Sequence, residues 1–123
     1  MTSVLNVDTI ADKAGTGPVA LTKQHAAKAW AHFDGTASSD HLNDSFNFSS
    51  VTDNSTGNYN PNLTNNMSSV SYSCAGSSNM TSSNRGAFRA LTYTTSTVNI
   101  VIYGNGSVVD ASDVSVNFHG DLA

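Results

Sequence analysis

An all-β fold, an antiparallel β-sandwich of jelly-roll type, is predicted by three observations. From Ala29 onward nearly every apolar residue lies next to Ser, Thr or Asn, the period-two pattern of strands that are dry on one face and wet on the other. The polar partners are neutral: charged residues make up 11% of the chain, and all nine acidic residues are aspartates. Clusters of Asn, Asp, Gly and Ser recur at short intervals, as turns between short strands require.

Taken in order, Ser3–Ile10 reads as one short strand and Ala14–Pro18 as a turn-rich break. Ala20–Trp30 is the one stretch with helical propensity, carrying Ala26, Ala27 and Ala29, but it is too short to hold itself as an isolated helix. Residues 1–28 therefore read as an extended N-terminal arm with one short helix or connector, and residues 29–123 as the β-sandwich domain. One domain suits 123 residues.

Strands follow at Ala29–Phe33, Asp44–Val51 (Phe46 and Phe48 in phase), Asn58–Leu63, Ser69–Ala75, Ala87–Thr95, Thr97–Tyr103 and Val114–His119. Pro61 lacks an N–H, so Asn58–Leu63 is expected at an edge or bulged. Asp53–Asn58, Thr94–Ser96 and Gly104–Gly106 read as turns, and Gly76–Gly86 as a long Ser/Asn-rich loop. In Val98–Tyr103 apolar groups point both ways, which sends Val101, Tyr103, Leu91 and Tyr93 away from the core, to be covered either by a second layer or by a neighbouring subunit.

Five Lys and Arg against nine Asp leave no basic surface for nucleic acid or a polybasic anchor. No apolar run reaches the roughly 20 residues of a membrane helix, and the opening residues lack signal-peptide character, so synthesis in a cytoplasm is expected. The lone Cys74 has no intrachain partner and reads as a small core residue. His25, His32, His41 and His119 show no metal-ligand spacing. The serines lack an identifiable base. The carboxylate pairs Asp110/Asp113 and Asp40/Asp44, in principle usable for glycoside hydrolysis, sit in turn-like contexts that favour a backbone role. No catalytic, metal or cofactor site is assigned.

Three segments together resemble the terminal β-domain module of tail-fibre and related virion structural proteins of marine tailed phages: Val4–Asp12 followed by Gly15–Pro18, Ala27–Thr36, and Asp44–Tyr59. The close, Val114–Asp121, is also similar to that module's ending. The resemblance implies a non-enzymatic virion structural protein made in the host cytoplasm, a short fibre or spike-like component that docks through its N-terminal arm and oligomerises, typically as a homotrimer, through its β-domain. The Asn60-Pro61-Asn62 segment departs from the alternation usual in such modules.

The candidate attachment and interface residues are Val4, Leu5, Val7, Ile10, Trp30, Val101 and Tyr103. A candidate recognition loop carries Asn79, Asn84 and Arg85. The expected partners are further copies of the chain, other virion proteins and, on an alternative reading, a host-surface glycan stacking on Tyr59, Tyr72 and Tyr93. A capsid decoration is the further alternative. Neither nucleic acid nor membrane insertion is expected.

Overall fold

The computed structural model describes residues 26–79 and 86–123. Nine strands form among them: β1 (Ala29–Phe33), β2 (Leu42–Phe46), β3 (Phe48–Ser55), β4 (Asn58–Leu63), β5 (Ser73–Ser78), β6 (Gly86–Tyr93), β7 (Val98–Gly104), β8 (Ser107–Val108) and β9 (Val114–His119). Sheet 1 has the order β2-β1-β9-β5. Sheet 2 has the order β3-β4-β7-β6, with β8 also paired to β7. Every pairing is antiparallel. The expected β-sandwich is the observed fold.

Alternation builds the core directly. Ala29, Ala31 and Phe33 of β1 and Val114, Val116 and Phe118 of β9 point inward from sheet 1. Tyr59 and Leu63 of β4 and Val98, Ile100 and Ile102 of β7 meet them from sheet 2. Each fully buried aliphatic or aromatic side chain contributes about 1.5–3 kcal/mol. Edge-to-face ring pairs join the layers at Phe33–Tyr59 (5.4 Å) and Phe48–Phe118 (5.0 Å). Gly76 of β5 leaves room for a ring from the opposite sheet, since a Cβ there would lie 2.5 Å from Phe88.

Several expectations are corrected. Asp44–Val51 is not one strand: the chain leaves sheet 1 after Phe46 and enters sheet 2 at Phe48. The corner is Asn47, whose φ of 60° is a left-handed conformation that Asn tolerates better than most residues. Its side chain fixes the corner, donating to the carbonyls of Lys28 (3.1 Å) and Asn65 (3.2 Å) and accepting from the Asn65 N–H (2.8 Å). Phe46 and Phe48 therefore do not share a face. Phe46 is 55% exposed and Phe48 is buried.

β4 is also not an edge strand, for it lies between β3 and β7. The missing N–H of Pro61 shows instead as a gap in the β4–β7 ladder, which pairs Asn58 with Val101 and Tyr59 with Ile100 and resumes at Asn62–Thr97. Thr97 Oγ1 donates to the Pro61 carbonyl at 2.7 Å across that gap. The bulges fall in the partner strand β3, at Phe48–Ser50 and Asp53–Ser55.

β5 starts at Ser73 and runs into the expected loop, as far as Ser78. Tyr93 faces the core, because a bulge between Ala90 and Tyr93 reverses the phase of β6. Its ring meets Tyr72 at 5.3 Å. The short strand β8 is an addition to the expected elements. It pairs back on β7 through the Gly104–Gly106 turn, where Asn105 (φ 50°) and Gly106 (φ 86°) both take positive φ, as a two-residue hairpin turn needs. Residues 26–28 are irregular, and the remainder of the expected helix or connector lies outside the described residues.

Candidate functional site

Two surfaces are produced by the alternation that builds the core, one on the outer side of each sheet. On sheet 1 the register places residues in transverse rows. Trp30 lies opposite Phe46 on one side and Asn117 on the other, and Asn117 lies opposite Ala75. In the next row His32 lies between Asp44 and Ser115, and Ser115 lies opposite Ser77. Trp30 is 38% exposed. Directly opposed residues of an antiparallel pair have Cβ atoms about 5 Å apart, so Trp30 and Phe46 make a register pair of exposed aromatic residues. It stands at the β2–β1 side of a sheet whose other side, β5, bears only Ser73, Ala75 and Ser77 outward.

Beside the aromatic pair, His32 Nε2 lies 3.3 Å from Asp113 Oδ1. The other Asp113 oxygen accepts from the Asn79 amide, which also donates to Ser112 Oγ at 3.1 Å. The Asn79 N–H donates to the Asp113 carbonyl at 2.8 Å. Asn79 is thus exposed but tied to the start of β9. The rest of the candidate recognition loop, Asn84 and Arg85, lies outside the described residues, as do Val4, Leu5, Val7 and Ile10.

On sheet 2 the outer face combines apolar groups with a ladder of amides. Asn99 Nδ2 donates to Asn58 Oδ1 (2.6 Å) and Asn60 Oδ1 (2.8 Å). Asn54 Nδ2 donates to the same two oxygens at 3.2 and 3.1 Å. Asn62 donates to Ser50 Oγ and Thr52 Oγ1. Tyr103 is half-buried under the Arg89 guanidinium, which lies 5.5 Å from its ring centroid. Val101 is on this outer face as expected, yet only 4% exposed, flanked in register by Asn58 and Arg89. Leu91 and Val108 remain exposed nearby in chain order. Trp30 therefore lies on one sheet, and Val101 and Tyr103 on the other, so these three candidates do not form one patch.

The tyrosines named for glycan stacking face inward. Tyr59 is fully buried, and its hydroxyl sits 2.6 Å from Asp110 Oδ1 and 2.9 Å from the Gly35 carbonyl. Burial, and then Asp110, hold that hydroxyl well above its ordinary pKa. Tyr72 donates to the Thr94 carbonyl at 2.8 Å, and burial pushes its hydroxyl up to about 12. Burial likewise pushes the half-buried Cys74 thiol up to about 12, which suits a packing residue rather than a nucleophile.

Of the candidate carboxylates, Asp44, Asp110 and Asp113 have hydrogen-bond partners. Asp110 Oδ1 also accepts from the Gly57 N–H at 2.6 Å, Asp44 Oδ1 accepts from the Ser45 N–H at 2.8 Å, and Asp40 takes a left-handed backbone with φ 53°. His41 is buried, its Nδ1 2.8 Å from the Asp34 carbonyl. Among the described residues no group of three His, Cys, Asp or Glu side chains could hold a metal ion.

Sequence reasoning missed Phe46 as the partner of Trp30. The signal present was Asn47, a residue that tolerates positive φ, standing between two phenylalanines. No family profile, no curated protein and no solved structure matches this chain.

Proposed function

We propose that this chain is a non-enzymatic virion structural protein of a tailed bacteriophage, a short fibre or spike-like component that assembles as a homotrimer and attaches through residues 1–28. The observation that carries this reading is the outer face of sheet 2. There one cation, Arg89, lies over Tyr103, and the other side chains described above are apolar or neutral, from the Asn54–Asn58–Asn60–Asn99 ladder to the exposed Leu91 and Val108. Depletion of charge around apolar groups characterises the centre of a protein interface. Amides already bonded to one another lose less on desolvation than free charges. The resemblance of Val4–Asp12, Ala27–Thr36 and Asp44–Tyr59 to marine phage fibre modules supports the virion assignment.

Sedimentation equilibrium tests the assembly. The full chain is expected at three times its 12.8 kDa mass, and Leu91→Ser with Val108→Asp is expected to lower that mass. A monomer at all concentrations overturns the trimer. Deletion of residues 1–25 is expected to leave a folded domain that no longer joins phage particles, and normal incorporation of the truncated chain overturns the attachment role.

A further inference from the structure

We infer that the outer face of sheet 1 is a binding platform for a neutral polysaccharide, centred on Trp30 and Phe46. This surface is independent of the virion reading, which uses the opposite sheet. The two residues are opposed in register across β1 and β2 and both rings are exposed, and the C–H faces of pyranose rings stack on exposed aromatic rings. Around those rings stand polar side chains: Asn117 in the same row, which both donates and accepts, and in the next row His32 with the acceptor carboxylate of Asp44. Sugar hydroxyls also donate and accept, and satisfy such groups as they are desolvated.

A second copy of this chain fits this face less well. Its apolar centre is only two side chains, and covering it takes the His32–Asp113 pair, 3.3 Å apart and well exposed, out of water. Side-chain size and charge narrow the ligand further. Beyond Trp30 and Phe46 the face continues through Asn117 and Ser115 of β9 to Ser73, Ala75 and Ser77 of β5, small neutral side chains along which an extended chain of sugars can lie. The carboxylates of Asp44 and Asp113 border the site in a chain of net charge −4, which disfavours uronates and other anionic glycans. A neutral chain of sugars matches the exposed rings, the hydrogen-bonding groups and the charge together.

Trp30 is the single tryptophan, so emission of the full-length protein reports on this face alone. The probes are cellohexaose, xylohexaose, chitohexaose and maltohexaose, with hexagalacturonate as the anionic comparison. At least one neutral hexaose is expected to shift Trp30 emission saturably. By isothermal titration, Trp30→Ala and Phe46→Ala are each expected to weaken that hexaose by roughly tenfold or more at unchanged thermal midpoint, while Leu91→Ser on sheet 2 has no effect. Flat titrations with all four neutral hexaoses at millimolar concentration overturn the proposal. So does tighter binding of hexagalacturonate, binding unmoved by both alanine variants, or a change in solution mass on Trp30→Ala, which identifies the face as a contact between copies.

Discussion

The Tyr59 hydroxyl lies 2.6 Å from Asp110 Oδ1, and this contact fastens one end of the sandwich. Tyr59 belongs to sheet 2. The Gly35 carbonyl beside its hydroxyl follows β1 of sheet 1, and Asp110 belongs to the segment leading into β9. Gly57, at the β3–β4 turn with φ 65°, donates its N–H to the same carboxylate oxygen. Three segments distant in sequence thus converge on one buried phenol. Gly35 has to be glycine here, since a Cβ would lie 2.5 Å from the Tyr59 oxygen.

Removal of that carboxylate is expected to cost about 1.5–3 kcal/mol, the usual range for hydrogen bonds to a charged group. Asp110→Asn, which retains an acceptor oxygen, is expected to cost less than half as much as Asp110→Ala. Urea unfolding of the two variants checks the order, and equal losses contradict the role of the acceptor.

Alkaline pH is expected to destabilise the fold. Tyr59, Tyr72 and Cys74 all have raised values in the folded state, so their protonated forms are the ones folding favours. The stability linked to them is fully present below the unfolded values, about 8.5 for Cys and 10 for Tyr. It is lost as pH rises from there through the folded values, to about 12 for Tyr72 and Cys74. Thermal midpoints should fall steadily above about pH 9. Cys74→Ala should flatten the first part of that fall, and an unchanged slope refutes the contribution of Cys74.

At the acid end Asp34 acts with the opposite sign. The Thr36 hydroxyl and backbone N–H, at 2.6 and 2.8 Å, hold its carboxyl below the ordinary value. Its small contribution is present above about pH 4 and is lost as pH falls through the folded value. Thr36→Val should shift the Asp34 carboxyl resonance titration upward toward the ordinary range, and an unmoved titration removes Thr36 as the cause.

Reaction of Cys74 with a thiol reagent at pH 8 is expected to be roughly a thousandfold slower in the folded protein than in the unfolded chain. A thiol with pKa about 12 exposes that much less thiolate than an ordinary one. Absorbance of the released thiolate leaving group, with and without denaturant, measures the ratio, and comparable rates contradict the buried setting.

Gly76 and Gly106 should fail for different reasons when replaced by Ala. At Gly76 the new Cβ meets the Phe88 ring at 2.5 Å and the Ser115 carbonyl oxygen at 2.7 Å, an overpacking expected to cost about 1–3 kcal/mol. At Gly106 nothing lies within 4 Å, yet φ is +86°, and the expected cost of about 1 kcal/mol is backbone strain alone. Thermal unfolding of the pair distinguishes them, because Phe88→Leu should relieve the ring part of the Gly76→Ala clash, leaving the Ser115 contact, and leave Gly106→Ala unchanged.

The bounds of β1, β4 and β9 were legible from the sequence, and in β1 and β9 alternation also encodes which side of the strand is dry. The inward Ala29, Ala31 and Phe33 and the outward Trp30 and His32 follow from that period alone. The turns at Thr94–Ser96 and Gly104–Gly106 were legible for a similar local reason, since their residues suit the backbone of a tight reversal. Alternation is blind to which sheet a strand joins. Phe46 and Phe48 look equivalent in sequence, and one left-handed residue, Asn47, held by contacts to Lys28 and Asn65 far along the chain, sends them to opposite environments. Pro61 set a local constraint, but only the packing of β4 between β3 and β7 decided that a gap in one ladder would meet it. The pairing of Trp30 with Phe46 comes from register between strands, and the inward turn of Tyr93 from a bulge in β6. Register is fixed by long-range contacts, which local pattern does not contain.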